Sequence, residues 1–348
     1  MRDARTSPKK GLLRAYIKAA SAVRKEFPLR GLQFLPSATY MVGMSTFTSR
    51  RTLIIGCGYV GLATGALLAA AGDAVFGLRR SADGSDALRA AGITPLRGDL
   101  TRRDDLHRLP GPFDRVVNCA SSSRGGAVEY REVYLEGTRT LLDWLRIHPP
   151  AKYVHTSSTS VYAQDDGSVV DEGSPAAPRG ETGRLLRDTE DLLVAAARDH
   201  GFPAVVLRVA GIYGPGRGHL FQQLVRGEAR ISEGGTRHMN MVHRDDVASA
   251  IAAVLDHGEA GGIYNCADDT PVTQLGFLGW ASGELGRPLP PHATGEEVAA
   301  RKRGLTDKRV SNAKLRALGW SPRFPAFREG YAEAVAAARP TGTGPTGT

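Results

Sequence analysis

The chain has 348 residues, 41% of them hydrophobic, with 45 Lys/Arg against 36 Asp/Glu and a formal charge of +9. That length allows one large domain or two modest ones around a sizeable core. The charge is concentrated: residues 1–51 hold 11 basic and 2 acidic side chains, and the rest of the chain holds 34 of each. The body of the protein therefore lacks the excess of basic side chains that nucleic-acid binding requires.

The basic leader contains no apolar run long enough for a signal peptide or a membrane span. Its stretch "GLLRAYIKAASAVRKEF" could form a short basic amphipathic helix. Two readings stand: an organelle transit peptide, or a disordered or non-native extension with translation starting at Met41 or Met44. Three cysteines, 57, 119 and 266, have neither zinc-ligand nor disulfide-framework spacing. The expectation is a reducing, cytoplasmic setting without a metal. The tail 337–348, ending "RPTGTGPTGT", reads as disordered.

From residue 52, short β-branched runs alternate with helical stretches. "TLIIG" (52–56), "AVFGLR" (74–79), "ITPLRGD" (93–99), "RVVNCA" (115–120), "KYVHTS" (152–157) and "AVVLRV" (204–209) read as strands. Residues 59–72, about 128–147 and 183–200 read as helices. Apolar strands without polar alternation, separated by helices, indicate an α/β fold with a doubly wound parallel sheet and a cleft at the strands' carboxyl ends. This gives a dinucleotide-binding Rossmann domain over 52–211. Beyond it, 212–336 reads as a smaller substrate-binding region, with "GIYNCAD" as a strand and some elements returning to the main domain.

The turn "GCGYVG" sits between the first strand and the first helix, where dinucleotide binding needs it. Gly56 permits the tight turn, Gly58 lets backbone approach a pyrophosphate, and Gly61 lets helix and strand pack closely. The helix start, Tyr59 and Val60, offers backbone N–H groups to the phosphates. At the end of the second strand an NAD site wants an acidic residue for the ribose hydroxyls. Here stand Arg79, Arg80 and Ser81, which suit a 2′-phosphate, so NADP is the expected cofactor with NAD as the alternative. Asp99, followed by Leu100, is placed to accept from an adenine amino group. Cys119 and Ala120 in "VVNCAS" put small side chains beneath the cofactor.

These stretches, with "VHTSSTSVYA" (154–163), "RVAGIYGPGRG" (208–218) and "NMVHRDDVASAI" (240–251) in order, resemble the extended short-chain dehydrogenase/reductases, the NAD-dependent epimerase/dehydratase family. The resemblance runs over about 52–336. It implies a seven-stranded sheet, a small C-terminal substrate domain, sugar-nucleotide substrates and frequent homodimers. One departure is sharp. The family's catalytic helix carries Tyr-x-x-x-Lys, and anchoring on Gly183 and Glu190 puts Thr182 and Leu186 at those two positions. Threonine is too weak an acid to replace a phenol, and leucine can neither lower a pKa nor hydrogen-bond a ribose. In lacking the pair, the chain most resembles an atypical branch, the YeeZ-like group.

Ser158 aligns with the family hydroxyl that meets the substrate oxygen; its other reading is a strand-end cap. Tyr162 is the first choice for a substitute proton donor, although the tyrosine of this turn is more often structural in the family it resembles. His243 could titrate near neutrality or order the loop before the helix at Asp245. Glu181 and Arg184 flank the vacated positions. Arg217, Arg237, Arg244, Lys308 and Arg309 suggest an anionic small-molecule substrate, with a solvated basic face as the alternative. Two functions follow: an NAD(P)-dependent oxidoreductase or epimerase/dehydratase with a non-standard acid/base, or a catalytically silent NADP-binding sensor or partner-binding protein. A glycine-loop methyltransferase would leave the later motifs unexplained.

Overall fold

The computed structural model describes residues 49–123, 125–299 and 306–339. The expectations for the leader up to residue 48, and for most of the tail, lie outside the described residues. Seven parallel strands form the central sheet: β1 (Arg51–Ile55), β2 (Ala74–Arg79), β3 (Ile93–Arg97), β4 (Arg115–Asn118), β5 (Lys152–Ser158), β6 (Ala204–Val209) and β7 (Ile263–Cys266), in the order β3-β2-β1-β4-β5-β6-β7. The order reverses direction at β1 and β4, and at such a switch point the diverging crossovers open a cleft beyond the strand ends.

Successive residues of each strand feed two separate cores, which is why these strands lack polar alternation. Ile54, Val75, Val117, Val154, Val205 and Leu207 enter one cluster. Leu53, Ile55, Val116, Tyr153 and Val206 enter the other. The first is covered by α1 (Tyr59–Ala70) and by Val247, Ile251 and Val254 of Arg244–His257. The second is covered by Leu141 and Leu145 of Gly137–Leu145 and by Leu193 of Glu181–His200. A third cluster, built on Phe221, Met241, Phe277, Phe327 and Tyr331, belongs to the C-terminal part of the chain.

Two boundaries differ from the sequence reading. Arg51, assigned to the leader, opens β1 opposite Ala74, and its guanidinium lies 4.7 Å from the centre of the Phe76 ring. Residues 337 and 338, assigned to the tail, complete the helix Phe327–Ala338. In both cases one side of the segment has apolar partners that chain position alone does not reveal.

Candidate functional site

A cleft of ≈ 1300 Å³ lies at the carboxyl ends of the strands. At one end stands the glycine turn. Gly56 has φ +73°, and a side chain there would collide with the Ala120 backbone beyond β4. Only glycine tolerates both conditions. A Cβ on Gly61 would come 2.8 Å from Gly56 O and 3.0 Å from Ile54, so this residue sets how closely α1 rides on β1. At Gly58 the nearest atom to such a Cβ is 3.9 Å away, leaving room on the cleft side. Among the described residues no side chain caps the N-terminus of α1, and its first turn holds no acid. That leaves a helix end suited to phosphate.

Gly56, Gly58, Tyr59, Val60, Arg79, Arg80, Asp99, Leu100, Cys119 and Ala120 all line the cleft. Gly61 does not; it sits behind the turn as a packing residue. The Arg79 guanidinium lies against Gly84, and Arg80 Nη2 reaches Ser123 Oγ at 3.5 Å. Asp99 Oδ1 accepts from the N–H and the hydroxyl of Thr101, at 3.0 and 2.8 Å. Tyr59 makes contacts the sequence did not announce. Its hydroxyl donates to Pro215 O at 3.2 Å, and the guanidiniums of Arg217 and Arg244 each lie 5.2 Å from its ring centre. Burial pushes this phenol up to about 12 against the pull of the Arg244 and Arg217 charges.

At the other end, Ser158, Thr182 and Leu186 line the same cleft. Thr182 and Leu186 lie one turn apart on Glu181–His200, so they share a face. Neither brings a titratable group. Ser158 Oγ accepts the Ser160 N–H at 3.2 Å, the strand-end capping role.

Tyr162 requires a correction. Its ring borders the cleft, but the residue is fully buried. Its hydroxyl donates to Asn265 Oδ1 at 2.9 Å and accepts from Arg208 Nη1 at 2.8 Å. The Arg208 guanidinium is itself paired with buried Glu190 at 2.7 Å, and Glu190 accepts from Ser157 Oγ at 2.6 Å. A phenol with both roles filled inside such a network is a structural tie, and burial further raises its pKa.

The five basic residues sort into two groups. Among the five, Arg217 and Lys308 line the cleft. Arg237 pairs with Glu233 at 2.6 Å, Arg244 with Asp245 at 2.8 Å, and Arg309 donates to Gly167 O at 2.9 Å. His243 caps the helix Arg244–His257 by accepting the Asp245 N–H, and burial lowers its pKa to about 4. It orders the loop and stays neutral near pH 7. Glu181 and Arg184 border a separate, shallower hollow. The sequence reading missed His238, which lines the main cleft with Nδ1 2.8 Å from Asp307 Oδ1.

A doubly wound seven-stranded sheet, a glycine turn at its switch point and a cleft running to the ends of β5 and β6 define an α/β dinucleotide-fold protein. The model of the NAD dependent epimerase/dehydratase family matches residues 52–267, and the chain belongs to that family. It is similar to protein YeeZ of Escherichia coli (strain K12), 33% identical over 237 residues that cover 65% of this chain and 81% of that one. Its fold also matches a functionally unknown conserved protein from Silicibacter pomeroyi DSS (27% identity, TM-score 0.66, covering 83% of this chain and 99% of that one). A dTDP-glucose 4,6-dehydratase from Bacillus anthracis str. Ames in complex with NAD shares the fold at 19% identity (TM-score 0.71, 83% and 96% covered).

Proposed function

We propose that the protein is an NAD(P)-dependent oxidoreductase or epimerase/dehydratase-type enzyme that prefers NADP(H) and acts on a small anionic substrate of the sugar-nucleotide or phosphorylated class. The observation that carries the cofactor reading is the pair Arg79 and Arg80 at the end of β2, lining the same cleft as the glycine turn. In this reading Gly56, Gly58 and the start of α1 hold the pyrophosphate, and Arg79 and Arg80 take the 2′-phosphate. Asp99 and Leu100 flank the adenine, with Cys119 and Ala120 beneath the cofactor. When bound, the nicotinamide supplies hydride transfer; the chain must position the substrate and handle its proton. Arg217 and Lys308 at the cleft support the anionic substrate, as do relatives such as the dTDP-glucose 4,6-dehydratase of Streptomyces niveus. Three free cysteines suit a reducing compartment.

One observation favours the second reading, a silent NADP-binding protein: Thr182 and Leu186 leave the catalytic helix face without a proton carrier. The deciding experiment is a titration of NADPH and NADH by fluorescence or calorimetry on the native chain and on Arg79→Asp. The variant should lose more than about tenfold in NADPH affinity, the worth of a charge-assisted contact of about 1.5–3 kcal/mol, and gain affinity for NADH. Equal native affinities would overturn the NADP preference, and no binding of either would overturn both readings.

A further inference from the structure

The vacated helix face leaves open which group moves the substrate's proton. The strand Asp307–Val310 pairs in parallel with Asp165–Val170, just beyond the Ser158–Tyr162 segment. Asn240 clamps it there: Asn240 Nδ2 donates to Lys308 O at 2.9 Å, Oδ1 accepts the Val310 N–H at 2.7 Å, and its own carbonyl accepts the Gly211 N–H beyond β6. Asp307 N–H donates to Gln164 O at 3.1 Å. Lys308 is thus fixed over the ends of β5 and β6, where Ser158 and Thr182 line the cleft. Lys308 is among the residues that line that cleft and is only 5% exposed. Among the described residues Nζ has one partner, the Thr306 hydroxyl at 2.7 Å, and no carboxylate. A buried ammonium with no counter-ion among the described residues is costly, and burial lowers its pKa to about 8. The chain has eight lysines against 37 arginines, and a guanidinium cannot give up its proton where an amine can.

We propose that Lys308 is the acid/base of this cleft, exchanging a proton with the substrate oxygen in place of the tyrosine absent at Thr182 and the lysine absent at Leu186. This rests on the oxidoreductase reading. In the oxidising direction the neutral amine takes the hydroxyl proton and becomes ammonium. The O–H electron pair closes the C=O bond, and the C–H pair leaves as hydride to an oxidised nicotinamide. In the reducing direction the ammonium returns the proton to the oxygen.

The first test needs no substrate. The full chain is treated with pyridoxal 5′-phosphate, an anionic aldehyde that condenses with neutral amines, then with borohydride, and mapped by mass spectrometry. Lys308 should be modified ahead of Lys152, whose Nζ is bonded to Gly258 O, and Lys314, whose Nζ sits over the Tyr264 ring. Modification of those two with Lys308 spared would overturn the proposal. The second test applies Lys308→Met and Lys308→Arg to any substrate turned over by the native protein. Both should lose about a hundredfold or more in turnover. Full activity of Lys308→Arg would overturn the proposal, because a guanidinium can hold an anion but cannot cycle a proton. Failure of the native chain to bind either NADPH or NADH would overturn the oxidoreductase reading instead, and is distinguished by the titration alone.

Discussion

The two ends of the cleft are built by different means. The end bearing the glycine turn draws Gly56, Gly58, Arg79, Arg80 and Asp99 from 44 consecutive residues, each at or just past the end of an adjacent strand. The Ser158–Thr182 end is assembled from 158–162, 182–186, 238–240 and 306–308, and beneath it lies a network joining Ser157, Tyr162, Glu190, Arg208 and Asn265. A local motif repeats its geometry wherever it occurs, so its chemistry is carried by spacing. An assembled site depends on burial and on long-range pairing, so the same residue types can serve quite different ends there.

The sharpest way to break that contrast is Glu190→Leu. Glu190 is fully buried and holds the Arg208 guanidinium, which is 2% exposed. Removing one partner of a buried pair strands the other and costs about 3–5 kcal/mol. Urea unfolding should show a large loss of stability even though residue 190 does not line the cleft. A loss under about 1 kcal/mol would mean that the network does not support this end.

Tyr162→Phe should have a smaller effect. It leaves Arg208 Nη1 and Asn265 Oδ1 without their partner inside the core, at a cost of about 1–3 kcal/mol. Turnover on any substrate should change far less than the roughly hundredfold typical of losing an acid or base. A hundredfold loss in a folded variant would return this tyrosine to the chemistry.

A further effect is one of pH. Burial lowers His155 and His243 to about 4, below the value of about 6.5 expected in the unfolded chain. Between those values the unfolded chain binds both protons first, so their contribution is present above pH 6.5 and fades as pH falls toward 4. Asp268, pushed up to about 8 by burial and by neighbouring Asp269 and Asp246, acts in the opposite sense, its contribution fading as pH rises through the same window. Two histidines against one carboxyl leave stability falling on acidification by about 1.4 kcal/mol per pH unit from these groups. Both ring nitrogens of His155 lack a partner among the described residues, so His155→Leu should flatten that slope with little other change. Melting temperatures from pH 6.5 to 4.5 test this, and an unchanged slope would contradict it.

Much of this was legible in the residues. β2, β6 and the helix Glu181–His200 follow the apolar runs closely, and the seventh strand sits within "GIYNCAD". The glycine turn could be placed because strand, turn and helix adjoin in the chain, whereas the Ala120 backbone that excludes a side chain at Gly56 lies 64 residues away. The sequence left Arg237, Arg244 and Arg309 between a substrate contact and a solvated basic face; the structure pairs Arg237 and Arg244 with an acid within four residues and Arg309 with a carbonyl 142 residues away. Tyr162 was misread because its partners lie 46 and 103 residues further along. His238 gave no signal, since Asp307 is 69 residues distant.

By itself the sequence determined the sheet, the turn at its switch point and the family, since apolar periodicity and glycine spacing act over a few residues. Only the tertiary structure decided which polar groups meet the cleft. It tied the Tyr162 hydroxyl into the core and set Lys308 in the lining of the cleft with its amine on the Thr306 hydroxyl. Burial and pairing set what a titratable group can do, and both arise from contacts between segments that the chain keeps far apart.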